Sequence, residues 1–280
     1  MKKESQNSWG REIHNMKIAE KGGYGPKIVF ADPYRGIVIT EYLLAKKITP
    51  QDFQKNQIYI ELAHLLQKIH QGEPFDNPSF YDPFKWIDHE LNTYTAKYGT
   101  YLPLNRVKEI LHVIQEAILP YRTTAPCHND LNAGNLMFLG QEFKAIDYED
   151  AGPGDPLYDV GTVSADLNSV SDPIHENLFL STYLGRQPSE KENAIIYLMR
   201  QVVYISWAFH AIDRLPSQKI KQYEQTRVPS LKEYSKEQLE SKSDLTIPEN
   251  SLRELKILFN QVLNESLSQE FKNAINILAK

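Results

Sequence analysis

At 280 residues, 41% hydrophobic and 24% charged, the chain has apolar material for one large domain or two modest lobes. A net charge of −5 excludes a general nucleic-acid binder, and a single cysteine, Cys127, excludes an intrachain disulfide framework. The N-terminus MKKESQNSWGRE lacks a signal-peptide core and no apolar run approaches a membrane span, so the reading is a cytoplasmic protein without membrane insertion.

Residues 8–21 read as a helix with Ser8 as N-cap and Ile13, Met16, Ile18 and Ala19 apolar, stopped by Gly22 and Gly23. Glu12 sits in its first turn, where the helix dipole favours an acid. Residues 27–31 and 36–42 pair as strands around the turn Asp32-Pro33-Tyr34-Arg35, and ITEYLL carries the second strand into a loop. Residues 52–70 form a helix through Ile58, Leu62, Leu65, Leu66 and Ile69. It carries His64 and His70, and lone helix histidines usually pack or face solvent, so neither is given a role. After a loop over 71–83, helices follow over 84–95 and 105–119, the second ended by Pro120. Cys127 reads as a small hydrophobe buried at a strand end.

Chemistry concentrates in HNDLNAGNLMFLGQEFKAIDYED, residues 128–150. The runs 136–139 and 143–146 form a hairpin turned by Gly140, Gln141 and Glu142. A hairpin returns its far end to its start, so Asp147 comes back beside Asn135, and a carboxylate and an amide oxygen then suit Mg²⁺. Asp130, a few residues earlier, looks into the same space. This pattern serves phosphoryl transfer, which needs metal on the phosphates and one residue to orient the attacking hydroxyl and take its proton. Asp130 is the candidate base and Asn135 and Asp147 the candidate metal ligands; the bland reading makes Asp130 and Asn135 turn residues. From 145 to 185 the chain has eight acids and no Lys or Arg, which favours a cationic substrate.

Beyond the hairpin, Asp155 and Pro156 start a helix, and 176–184 and 191–215 are further helices. The last carries Tyr197, Tyr204, Trp207 and Phe209, an aromatic stripe that reads equally as core. Residues 217–243 are a charged, mobile connection with helical pieces, and Pro248 starts a closing helix that continues through Phe271 and Leu278.

HNDLNAGN and IDYEDAGPGDPLYDVG resemble the catalytic loop and following metal segment of the aminoglycoside phosphotransferase and choline/ethanolamine kinase family, relatives of the protein kinases. The similarity runs roughly from Arg11 to Leu215. It implies an α+β, protein-kinase-like fold: a truncated small lobe with its hinge over 1–44, and a mostly helical catalytic lobe with the catalytic β-hairpin over 45–280. It also implies ATP as co-substrate with Mg²⁺. On this resemblance Glu12 matches the helix Glu that pairs with a phosphate-binding Lys, and Glu41, Tyr42 and Leu43 occupy the adenine-contacting hinge. Asp159 steadies the catalytic loop from below, together with His128. Glu149 contacts a substrate ammonium or the surroundings of the metal. Trp207, with Tyr204, matches the aromatic cage that choline kinases place around a quaternary ammonium, although His210 falls where a second Trp is expected.

The expected activity is phosphorylation of a choline- or ethanolamine-like alcohol, with an aminoglycoside or thiamine-like alcohol as the alternative acceptor. One departure stands out: only ten residues precede Arg11, and none reads as the Gly-rich turn and strand Lys of the family's phosphate pocket. The chain is then a late-starting form of a longer kinase, or a non-catalytic binding protein. The unpaired edge of the remaining strand pair predicts association with a second copy.

Overall fold

The computed structural model describes residues 2–46, 48–49, 51–168, 172–240 and 244–280. In chain order the first half carries α1 (Lys2–Lys21), β1 (Ile28–Asp32), β2 (Ile37–Thr40), α2 (Asn56–His70), α3 (Pro83–Tyr98), α4 (Leu104–Ile118) and β3 (Ala125–Cys127). There follow β4 (Leu136–Phe138), β5 (Phe143–Ala145), β6 (Gly152–Gly154), α5 (Pro156–Asn168), α6 (Pro173–Leu184) and α7 (Glu190–Asp213). The chain closes with α8 (Ser217–Ile220), α9 (Leu231–Glu240), α10 (Pro248–Glu265) and α11 (Gln269–Leu278). Contacts gather these into two units, Met1–Tyr81 with Thr123–Pro188, and Asp82–Arg122 with Ser189–Lys280.

In the first unit α1 begins at Lys2, six residues before the expected cap at Ser8, because Lys, Glu and Gln are good helix formers and a polar stretch does not stop a helix. It ends where expected: Gly23 takes φ +75, and the amides of Gly22 and Tyr24 close on the carbonyls of Ile18 and Ala19. β1 and β2 form an antiparallel pair with Asp32 opposite Ile37, and Gly36 at φ +64 lies against the Trp9 indole. Three two-stranded sheets, β1–β2, β3–β6 and β4–β5, make up the strand content of the described residues. The β4–β5 hairpin matches the sequence reading in position, with Leu136 opposite Ala145 and Phe138 opposite Phe143. α2 buries Ile58, Leu62, Leu65, Leu66 and Ile69 on one stripe and packs against α6, whose Phe179 and Leu180 are buried.

A strand ending at Cys127 was expected, but its pairing with β6 was not. The two strands read Ala-Pro-Cys and Gly-Pro-Gly, composition that strand rules disfavour. The glycines are there for close approach: a Cβ on Gly154 would lie 2.3 Å from the side-chain oxygen of Asn129, and one on Gly152 would lie 2.8 Å from Asn77.

The second unit is built round α7. Its window is apolar enough to cross a membrane by composition, which the sequence reading had not anticipated, but 83% of that window is buried inside the protein. α10, α11, α3 and α4 pack on it, so it is the core helix of this unit. Ser189 caps it with a complete capping box to Glu192. The closing helix is two helices rather than one. The chain breaks after Glu265, and Ser268 accepts from the Phe271 amide to start α11.

Candidate active site

All of the acids described here belong to the first unit. β3 ends at Cys127, which is fully buried, and burial pushes its thiol up, away from the reactive thiolate. The chain then turns at Asn129, which sits at φ +66, a left-handed conformation that Asn tolerates better than most residues. Asp159 of α5 holds this turn: its Oδ2 accepts from the His128 amide and its Oδ1 from the Asn129 amide, both at 2.8 Å. His128 is itself buried; its Nε2 lies 3.0 Å from the Ile146 carbonyl, and its ring packs against Tyr148. His128 therefore ties the loop to the segment that delivers Asp147.

Asp130 follows the turn and is half-buried. Each of its carboxylate oxygens accepts an amide. Asn132 Nδ2 donates to Oδ1 at 2.8 Å, and Asn135 Nδ2 donates to Oδ2 at 2.9 Å. Asn135 Nδ2 also reaches the Asp130 carbonyl at 2.8 Å, so the nitrogen side of this amide is committed and Oδ1 is left as its ligating atom. The Ile146 amide donates to the Asn135 carbonyl at 3.0 Å, which sets Asp147 one residue beyond that bond. Asp147 is exposed and takes φ +67, the second non-glycine residue in this conformation among those described.

The field around these groups is acidic. Glu149 is held above the usual carboxylate range by burial and then by the charges of Asp147, Asp150 and Asp130. Glu12 of α1 is raised by burial and then by Asp147 and Glu149. The side chains of Asp130, Asn135 and Asp147 offer oxygen donors alone, a set whose chemistry fits a hard divalent cation such as Mg²⁺.

The expected hinge residues divide. Glu41 serves the fold: its amide donates to the Lys27 carbonyl at 2.8 Å, its carboxylate accepts from the Lys27 amide at 2.9 Å, and Lys144 lies 3.2 Å from it. Those contacts, led by the Lys27 amide, lower its carboxyl. Tyr42 is 87% exposed, and Leu43 offers its carbonyl to the Ala45 amide. Tyr204 and Trp207 lie in the second unit on α7. Tyr204 is fully buried, so it is a core side chain and not the wall of an open cage, whereas Trp207 is part-exposed and meets Tyr204 edge to face. His210, the residue in place of a second Trp, stacks on Trp86 with ring centroids 4.8 Å apart.

Two residues at the site were missed from sequence. Asp166 of α5 accepts from the Ala133 amide at 2.8 Å, beneath the segment joining Asp130 to Asn135. His70, given no role, lies 3.1 Å from Asp159. His70, Cys127 and Asp159 bring one ligand atom each within 4.8 Å of one another, but both ring nitrogens of His70 are in hydrogen bonds and Asp159 holds loop amides. This trio is a hydrogen-bond cluster, not a cation site.

The fold is protein-kinase-like, and the sequence places the chain among phosphotransferases. The chain belongs to the phosphotransferase enzyme family, whose profile matches residues 4–185. It is 25% identical over 155 residues to protein LicA of Haemophilus influenzae, an alignment covering 54% of this chain and 58% of that protein. The chain thus matches little more than half the length of that curated relative. Among solved structures it resembles a choline/ethanolamine kinase family protein from Mesorhizobium loti, with a TM-score of 0.71 at 18% identity over 96% of this chain and 82% of that one. It also resembles the choline kinase LicA from Streptococcus pneumoniae, with a TM-score of 0.60 at 18% identity over 90% of this chain and 80% of that one.

Proposed function

We propose that the chain transfers the terminal phosphoryl group of ATP to the hydroxyl of a small cationic alcohol of the choline or ethanolamine type. The observation that carries this reading is the Asp130 carboxylate, half-buried and held by the side-chain amides of Asn132 and Asn135. A carboxylate fixed this way can orient an acceptor hydroxyl and take its proton as the new O–P bond forms and the bond to the ADP leaving group breaks. Asn135 and Asp147 would hold Mg²⁺, which supplies neutralisation of phosphate charge when bound. Glu149 and its acidic neighbours favour a cation over a neutral alcohol. The names of the relatives, choline kinase and choline/ethanolamine kinase, point to the same acceptor class. A panel of choline, ethanolamine, thiamine-like alcohols and aminoglycosides, assayed for ATP-dependent phosphorylation, tests the proposal. Phosphorylation of an amino alcohol that is lost in Asp130→Asn supports it, and turnover undiminished in that variant sinks the role of Asp130.

One observation favours a second, non-catalytic reading. Burial and then the charges of Asp147 and Glu149 raise the Glu12 carboxyl, so among the described residues it adds to the acidity of the site. Nucleotide titration with and without Mg²⁺ separates the readings, since a binding protein of this kind has little Mg²⁺-dependent affinity for ATP. We also propose that a second copy covers the β1–β2 pair, where Val29, Phe30 and Ile39 are 65%, 51% and 52% exposed. Light scattering tests it, and a monomer at all concentrations removes it.

A further inference from the structure

Asp159 is fully buried, and a buried carboxylate is tolerated only when hydrogen bonds replace its hydration. Two of its donors are the catalytic-loop amides of His128 and Asn129; the third is His70 Nε2, 3.1 Å from Oδ2, with the His70 side chain 5% exposed. On the other side of the ring, His70 Nδ1 lies 2.8 Å from the Tyr183 hydroxyl, and the two rings meet edge to face at 89°. Tyr183 is pinned independently: Gln67, one turn before His70 on α2, donates to the carbonyls of Thr182 and Tyr183 at 2.9 Å. Burial and the charge of Asp159 raise the Tyr183 phenol, so it keeps its proton and can donate.

A carboxylate accepts and cannot donate, so the nitrogen facing it must carry hydrogen. With hydrogen on Nε2 toward Asp159, Nδ1 is the nitrogen that faces the Tyr183 hydroxyl. We infer that Tyr183 and His70 are a positioning pair: the tyrosine hydroxyl fixes the imidazole so that Nε2–H completes the hydrogen bonding of Asp159, which holds the loop presenting Asp130. Neither residue touches a reacting atom. The inference rests on the phosphotransferase reading for its catalytic consequence, but the state of the ring and the stiffness of the loop can be measured without any turnover.

The test uses the full chain in three forms: wild type, His70→Leu, which removes the donor, and His70→Gln, which returns an amide donor near the Nε2 position, with Tyr183→Phe as a mild fourth. Nitrogen-15 spectra of the histidine rings, with His70 assigned from its loss in His70→Gln, are expected to show a proton on Nε2 in the wild type and a displaced Nδ1 resonance in Tyr183→Phe. Amide exchange at His128 and Asn129 is expected to quicken about tenfold in His70→Leu and to be restored in His70→Gln. For the alcohol that the wild type phosphorylates, kcat in His70→Leu is expected to fall about 10- to 100-fold with KM unchanged, and to recover in His70→Gln. A ring protonated on Nδ1 alone, or exchange at the two loop amides that ignores the loss of His70, overturns the pair. If the wild type phosphorylates nothing, the proposed function fails, while the ring spectra and amide exchange still decide this inference. The wild-type spectrum does so even where His70→Leu does not fold.

Discussion

Asn135 donates one side-chain amide to both the carbonyl and the carboxylate of Asp130, at 2.8 and 2.9 Å, across five residues of chain. A single residue thus fixes the backbone and the side chain of the candidate base while keeping its own oxygen for another partner. Replacing it with alanine removes the clamp and the ligand together; Asn135→Asp separates them. The aspartate keeps an oxygen ligand but sets a second carboxylate against Asp130 instead of a donor. Both variants are expected to lose about 100-fold or more in kcat/KM, because misplacing the base by a fraction of its reach is enough. Asn135→Asp should also shift the acid limb of the pH–rate profile upward, since paired carboxylates share a proton. Wild-type turnover in Asn135→Asp would show that the amide does not orient the base.

Gly154 and Gly10 make opposite predictions from the same substitution. A Cβ at Gly154 would lie 2.3 Å from the Asn129 side chain and 3.1 Å from Cys127 Cβ, so Gly154→Ala must push β6 off the catalytic loop. A loss of about 1–3 kcal/mol is expected, as for overpacking generally. Gly10 lies in α1 with nothing within 4 Å of the added methyl, and Gly10→Ala should gain about 0.5–1 kcal/mol from helix propensity. Urea denaturation of the two variants measures both. Equal effects of one sign would mean that the close contact at Gly154 does not exist in solution.

What the sequence disclosed follows the range of the forces involved. α2 and α4 were readable because their apolar residues repeat at helical spacing and face a core directly. The β4–β5 hairpin was readable because Gly140, at φ +95, marks a turn between two short apolar runs. Asp130 and Asn135 were close enough in the chain for local spacing to suggest a common site. The pairing of β3 with β6 was hidden, since Gly and Pro argue against strands and the glycines answer to the close approach of Asn77 and Asn129. His70 was passed over because its partner, Asp159, is 89 residues further on, and nothing in a lone helix histidine announces a buried carboxylate. The break between α10 and α11 turned on one cap, Ser268, inside a continuous apolar pattern.

Asp166 gives the pH dependence. Burial, offset by the Ala133 amide and reinforced by Asp130, raises its carboxyl from the ordinary 3.8 to about 7. The native state therefore keeps a proton that the unfolded chain has released, and stability falls as pH rises between those two values, levelling off above the upper one. Asp166→Asn removes the titration. Its stability should fall less steeply than that of the wild type over that interval, so that the variant gains on the wild type by on the order of 1 kcal/mol or more between pH 4 and pH 8. The Asn keeps an oxygen for the Ala133 amide, so the loop contact survives the change. Denaturation at several pH values decides, and wild-type and variant curves that run parallel between pH 4 and 7 rule out the raised carboxyl.

Tyr204 and Trp207 were both assigned to a substrate cage, and their burial now separates them. Tyr204 is fully enclosed in the core round α7, so Tyr204→Ala should act as a cavity mutation and cost about 3–5 kcal/mol. Trp207 is part-exposed, and truncating it costs less stability because part of its surface already meets water. If Trp207 faces a quaternary ammonium, Trp207→Ala should raise KM for choline about 5- to 30-fold, the value of one cation–π contact, and should barely alter KM for ATP. Trp207→Phe should recover part of that loss, since a smaller aromatic face remains. A variant set in which KM for every acceptor is unchanged while melting temperature drops would return Trp207 to the core and move the search for the cation's partner to the acids around Glu149.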